Sequence, residues 1–187
     1  MIRHMMMKLA AIVLITLIGL LPAKVSFAED IYSLEEVGVS YGHGIDVTQW
    51  VQIDIIQHVT PPLHFLEEWL HEPFLDIGLS QSKWTQTGEH GYHLSANLLM
   101  RTQDIPTTFG KFFFEAGFGP HLFSRPGKTN RLDTAFEFNS VVGMGLKLDP
   151  SWSLISRARH LSNAGITEPN AGVNLYLLQL HYRFNQP

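Results

Sequence analysis

The sequence predicts an all-β chain: an eight-stranded antiparallel transmembrane β-barrel of the outer membrane, apolar outside and polar inside. Three observations predict it. A basic start followed by a short apolar run marks the chain for export. Hydrophobic residues in the body recur at every second position rather than every third or fourth. The polar face of those alternating segments carries charges of both signs, which a narrow barrel can pair within itself.

Composition sets the outer bounds. The chain has 187 residues, no cysteine, 45% hydrophobic and 16% charged residues, with 12 Phe, 4 Trp and 5 Tyr. So apolar and aromatic a chain is not disordered. The absence of cysteine excludes a disulfide scaffold, a thiolate metal site and a cysteine nucleophile. A net charge of −4 offers no basic field, so no nucleic-acid partner is expected. The mean hydropathy of +0.03 is far below that of a helical membrane bundle.

The first 28 residues read as a signal peptide. Arg3 and Lys8 precede an apolar run from Leu9 to Leu21, which Pro22 and Lys24 end. Ser26-Phe27-Ala28 then gives a small-x-small cleavage pattern before Glu29. The run is shorter than the roughly 20 residues a spanning helix needs. Cleavage after Ala28 removes three positive charges (Arg3, Lys8, Lys24), taking the net charge from −4 to −7. Residues 29–187 are expected to form a single domain.

Eight segments alternate, in order. Val37, Val39 and Tyr41 face away from Gly38, Ser40 and Gly42. Val51, Ile53 and Ile55 oppose Gln52 and Asp54, and Leu75, Ile77 and Leu79 oppose Asp76, Gly78 and Ser80. Between these two, Thr60-Pro61-Pro62 through Trp69 reads as a loop with a helical turn. From Gly91 to Arg101, Tyr92, Leu94, Ala96, Leu98 and Met100 oppose His93, Ser95, Asn97 and Arg101. From Lys111 to Leu122, Phe112, Phe114, Ala116 and Phe118 oppose Glu115 and His121. From Asp133 to Leu148, Phe136, Phe138, Val142, Met144 and Leu146 oppose Glu137, Asn139 and Lys147. Trp152 and Leu154 begin a seventh segment whose other face carries Arg157 and Arg159. The eighth, Val173 to Phe184, sets Tyr176, Leu178, Leu180, Tyr182 and Phe184 against Gln179, His181 and Arg183.

A soluble barrel with its apolar face inward fits the alternation alone. The membrane barrel is favoured by the mixed charges of the polar face, by the aromatic end of the last segment, and by segment lengths near the ten residues a tilted strand needs. With the N-terminus in the periplasm, the short Asp149-Pro150 turn is periplasmic and the Ser162 to Gly172 segment lies at the extracellular end.

That segment carries the chemistry. His160 and Ser162 are two apart, so both leave the face that also carries Trp152, Leu154 and Ala158. Polar groups on a lipid face are costly unless they find partners or work. A serine beside a histidine is the minimum for a base-activated nucleophile. Asn174 lies on the outward face of the next strand, where antiparallel pairing brings it beside His160. Arg157 and Arg159 point inward and are expected to pair with interior acids. A bare His-x-Ser is a weak signal, and most such pairs are structural. The His90-x-x-His93 pair reads as incidental, so no metal and no cofactor are expected.

His160-Leu161-Ser162-Asn163-Ala164-Gly165, followed by Pro169-Asn170-x-Gly172, resembles the signature of the lipid A 3-O-deacylases of the PagL type. Glu115 to Leu122 and Thr134 to Phe138 are similar to that family as well. The resemblance is strong over the C-terminal half and rests on pattern and length elsewhere. It implies an eight-stranded outer-membrane barrel, in agreement with the strand count. It further implies hydrolysis of the ester that links the 3-position acyl chain to lipid A in the outer leaflet. It places the nucleophile on Ser162 and the base on His160. The oxyanion region falls on the turn where the Asn163 side-chain amide and the Gly165 backbone N–H meet developing charge. The family's third triad member is a glutamate in its best-known pattern, and its position falls on Asn174. An asparagine carbonyl still accepts the His160 N–H and holds the ring, but it brings no charge. Glu168, the nearest acid in the loop, has neither the spacing nor the strand context of a substitute.

The expected partners are therefore lipid A and membrane lipid, with a homodimer left open. The alternative is a non-catalytic small outer-membrane barrel, a scaffold or adhesin, which keeps the strands but has no use for Ser162.

Overall fold

Alternating apolar and polar residues cannot make a helix with one wet face, and they fold here as antiparallel strands. The computed structural model describes residues 34–59, 73–124, 132 and 134–184. Among them run nine strands: β1 Glu36–Gly44, β2 Val47–His58, β3 Pro73–Trp84, β4 His90–Arg101, β5 Ile105–Thr107, β6 Gly110–Phe123, β7 Phe136–Lys147, β8 Trp152–Ser162 and β9 Val173–Arg183. Eight close into a ring in the order β1-β2-β3-β4-β6-β7-β8-β9, with β9 returning to β1. The expected eight-stranded barrel is this ring. Strand β5 adds only to the start of β6, from Ile105 opposite Phe112 to Thr107 opposite Gly110. Three residues are too few for alternation to show in the sequence. The expected leader at 1–28, the loop from Thr60 to Trp69, and the segment from Arg125 to Arg131 with Asp133 lie outside the described residues.

Strand parity sorts the side chains as the sequence implies. Val39, Tyr41, Ile53, Leu79, Phe118, Val142, Tyr176 and Leu178 are each more than half exposed on the outer wall. On the opposite face of the strands Ser40, Gln52, Asp54, Asp76, Glu115, Arg157, Arg159 and Gln179 are buried inside. Apolar surface this continuous is unstable in water and stable in lipid, which excludes the soluble barrel. Aromatic side chains gather where the wall ends. The Trp152 ring lies 4.8 Å from Tyr182, and Tyr182 lies 4.9 Å from Phe184.

Charges pair across the narrow interior. Arg157 on β8 donates to Glu115 on β6 and reaches Asp76 on β3, the strand directly across the ring. Arg159 donates to Gln52 at 2.8 Å and lies 3.9 Å from Asp54. Arg101 bridges Glu36 and Glu115 at 3.4 Å each, with its guanidinium 4.5 Å from the Phe113 ring. Arg183 also pairs with Glu36. The inward arginines thus find the acids expected of them.

The interior is not polar throughout, as the alternation had suggested. At the end where β8 meets β9, Val47, Trp50, Trp84, Phe123, Leu132, Leu161, Val173, Leu175 and Leu177 form a buried apolar plug. An eight-stranded ring is just wide enough for side chains to fill it, so the end of the barrel is sealed by packing.

Arg157→Met tests the ionic layer. Removing the cation leaves Asp76 and Glu115 buried without their principal partner, which typically costs about 3–5 kcal/mol. A fall in the urea midpoint of the folded, heat-modifiable gel band is expected in detergent. An unchanged midpoint shows that the pair does not hold the barrel.

Candidate active site

The row that carries the polar outward residues crosses three strands. On β8, His160 and Ser162 leave the outer face because Arg157, Arg159 and Leu161 occupy the inner one. The register sets Ser140 of β7 opposite His160 and Asn174 of β9 opposite His160 on the other side. Phe138 stands opposite Ser162. His160, Ser140 and Asn174 are exposed on the wall, and Ser162 is half-buried at its edge.

His160 Nδ1 lies 2.8 Å from Asn174 Oδ1. An amide oxygen only accepts, so Nδ1 carries the ring proton and Nε2 keeps its lone pair. That is the tautomer a general base needs. No hydrogen bond joins Ser162 to His160 among the described residues, and no carboxylate touches the ring. The strand rise of about 3.3 Å per residue separates two such Cα atoms by about 6.6 Å, which a long imidazole nearly spans.

The loop from 163 to 172 is held by Asn163, which is fully buried. Its Oδ1 accepts the Gly165 N–H at 3.0 Å, and its Nδ2 donates to Thr167 O at 3.0 Å and Oγ1 at 3.1 Å. Its own N–H donates to Asn170 Oδ1 at 2.9 Å. The two expected oxyanion donors, the Asn163 amide and the Gly165 N–H, are therefore bonded within the loop rather than open towards Ser162. Asn170 differs. Its Oδ1 is fixed beside the Ser162–Asn163 peptide, while its Nδ2 makes no hydrogen bond among the described residues. Sequence reasoning quoted Asn170 only as part of the motif, since nothing local says which amide turns outward.

Gly172 is the second residue the sequence leaves unexplained. Its φ is +69°, a region that disfavours side chains. A methyl group there would also lie 2.5 Å from His160 Cε1 and 3.0 Å from Nε2. The absent side chain leaves room for the imidazole.

Below His160 a shallow groove of about 220 Å³ runs down the wall, lined by Ser140, Val142, Ala158, His160, Asn174 and Tyr176. His90 and His93 sit on opposite faces of β4 and do not converge.

A family model described as lipid A 3-O-deacylase (PagL) matches residues 37–183, which takes in every strand of the ring. A lipid A deacylase PagL of Bordetella bronchiseptica is 40% identical over 75 residues, or 40% of this chain and 42% of that one. Its counterpart in Pseudomonas aeruginosa is 43% identical over 70 residues, 36% of this chain and 40% of that one. The aligned stretch thus spans about two fifths of these curated relatives. The crystal structure of the outer membrane enzyme PagL shares the fold, with a TM-score of 0.64 at 24% identity over 78% of this chain and 97% of that one. With the strand ring, the outward His-x-Ser pair and the matched model in agreement, the chain belongs to the lipid A 3-O-deacylase (PagL) family.

Proposed function

We propose that the chain is an integral outer-membrane esterase that removes the 3-position acyl chain from lipid A by a serine–histidine mechanism. The observation that carries the reading is the His160–Asn174 hydrogen bond on the lipid-facing wall, two residues from Ser162. A hydroxyl, an imidazole and an amide in one outward row have no structural task in a wall of apolar residues. An enzyme acting on a membrane lipid needs them there, because the acyl chain already lies in lipid.

His160 Nε2 takes the proton from Ser162 Oγ, which attacks the ester carbonyl. The short remaining distance closes as the substrate seats, as catalytic hydrogen bonds commonly tighten only in the complex. The carbonyl oxygen becomes an oxyanion. Asn170 Nδ2 is the open donor beside Ser162. The Gly165 N–H turns to the oxyanion from Asn163 Oδ1, a weaker acceptor than the developing charge. Asn163 itself locks the turn. The tetrahedral intermediate collapses, His160 returns the proton to the sugar 3-oxygen, and the 3-hydroxyl leaves. Water then attacks the acyl-serine with His160 as base, and the fatty acid departs. Asn174 holds the ring in its working tautomer throughout.

Mass spectrometry of lipid A from cells expressing the protein is expected to show the loss of one acyl mass. Ser162→Ala is expected to abolish it, a fall of at least about a thousandfold, with folded gel mobility retained. Unchanged lipid A on wild-type expression would falsify the deacylase reading, and full activity in Ser162→Ala removes the nucleophile. Asn174→Glu replaces a neutral acceptor by a charged one, and activity is expected to equal the wild type or rise up to about tenfold. A complete loss shows that residue 174 does not orient the ring.

Gly172→Ala probes the packing of the imidazole. A folded barrel with acyl release at least about tenfold slower is expected, because the added methyl displaces His160 from its alignment. Wild-type rates in this variant mean that the ring does not need the space.

A further inference from the structure

We propose that the wall on the far side of the barrel from His160 holds a second lipid, a phosphate-bearing glycolipid of the outer leaflet. It is bound by its head at Lys83 and retained there rather than hydrolysed.

Strand β3 stands four places from β8 either way around the ring, so the two run in the same direction. The last outward residues of β3 therefore lie at the end of the barrel that carries Ser162, on the opposite wall. The register makes a row there. Gln49 on β2 stands opposite Lys83 on β3, and Lys83 stands opposite His90 on β4. All three side chains are exposed, while Ser82 and Trp84 take the inner face. Among the described residues Lys83 is the single outward lysine or arginine at this end of the ring, and its ammonium pairs with no carboxylate. Glu89, one residue before His90, forms no ion pair with it.

The rest of the row donates as well. Gln81 Nε2 lies 3.4 Å from His90 Nδ1. An amide nitrogen only donates, so Nδ1 accepts and Nε2–H is left as a donor. An ammonium, an imidazole N–H and the Gln49 amide side by side suit an anionic group with several oxygens. Below them the wall turns to hydrocarbon. Tyr92 follows on β4, at the level where an aromatic ring meets the membrane interface. One step further down, Ile53, Leu79 and Leu94 pair across β2, β3 and β4 as an exposed apolar row. Donors above and apolar side chains below fit both halves of an amphiphile, whereas a free phosphate uses only the upper half. The rim of β6 and β7 has no such donors, since Leu122 stands there opposite Phe136. The orientation expected of the strands puts this end at the cell surface, where a glycolipid supplies the phosphate. The groove beside His160 belongs to β7, β8 and β9 and shares no residue with this wall.

The test titrates the full Ser162→Ala protein, folded in detergent, with lipid A carrying its phosphates and with the same lipid dephosphorylated. Native mass spectrometry counts the lipids bound. Adding Lys83→Ala and His90→Ala together is expected to weaken retention of one phosphorylated lipid by about five- to tenfold. Binding of the dephosphorylated lipid is expected to be the same with and without them. Lys83→Arg is expected to retain the lipid, and added salt to release it. In the Ser162 protein the paired change is expected to leave the rate on lipid A in detergent unaltered. Unchanged retention in the paired variant overturns the proposal, and so does an equal loss of both lipids. Displacement by millimolar inorganic phosphate makes this a site for the free ion, and equal retention of phosphatidylglycerol makes it a site for any anionic lipid; either result overturns the glycolipid. The titration reads binding alone, so it decides this proposal even if the protein never deacylates lipid A.

Discussion

The interior clamp on β8 decides where everything else on that strand points. Arg157 spans the barrel from β8 to Asp76 on β3 and also grips Glu115 on β6. Arg159 bonds Gln52, which also accepts the Trp50 indole N–H at 3.0 Å. Two guanidinium groups two residues apart define the inner face. Parity then leaves residues 158, 160 and 162 no choice but the outer one. A slip of one residue would put both arginines into lipid, at about 2–4 kcal/mol each near the midplane, and carry His160 and Ser162 inside. The charges that stabilise the ring therefore also hold His160 and Ser162 against the membrane.

The same lipid setting bears on Asn174. A carboxylate at that position would stabilise an imidazolium in the transition state, but it must be presented to the edge of an apolar wall with its charge poorly solvated. A neutral amide carries a much smaller desolvation cost and still fixes the ring tautomer through its oxygen. Under the proposed mechanism, Asn174 would exchange some transition-state stabilisation for an easier resting state.

Strand parity made the ring, its two faces, the inward arginines and the outward His160, Ser162 and Asn174 legible in the sequence. Period two is a property of each strand alone and survives without knowledge of its neighbours. What stayed hidden depends on pairing or on loop shape. Ser140 meets His160 only through the register of β7 against β8, which the alternation of a single strand does not show. The lock formed by Asn163 and the open amide of Asn170 depend on how ten loop residues fold back. Neither residue is distinguishable from the other by spacing. The apolar plug was missed for a related reason. Leu161, Val173, Leu175 and Leu177 lie on faces that a strict polar-inside rule assigns to charge, yet a ring this narrow must seal its end with volume rather than with ions.

The ladders themselves show where the barrel tolerates irregularity. From Phe138 opposite Ser162 to Lys147 opposite Ser153, β7 and β8 pair without interruption. From Trp152 opposite Tyr182 to Leu161 opposite Val173, β8 and β9 do the same. The irregularities fall elsewhere: the register shifts between Val47 and Gln49 where β2 meets β3, and pairing lapses between β4 and β6 at Ala96–Asn97 opposite Gly119–Pro120, where Pro120 brings no N–H. A row of side chains on three strands is only as well aligned as the two ladders beneath it, since each residue of slip moves one member by about 3.3 Å and reverses its face. Alignment within about half an ångström is what a hydroxyl, a base and its orienter require. The irregular seams are therefore compatible with the site because neither includes β7, β8 or β9, while the ladders that carry Ser140, His160 and Asn174 remain whole.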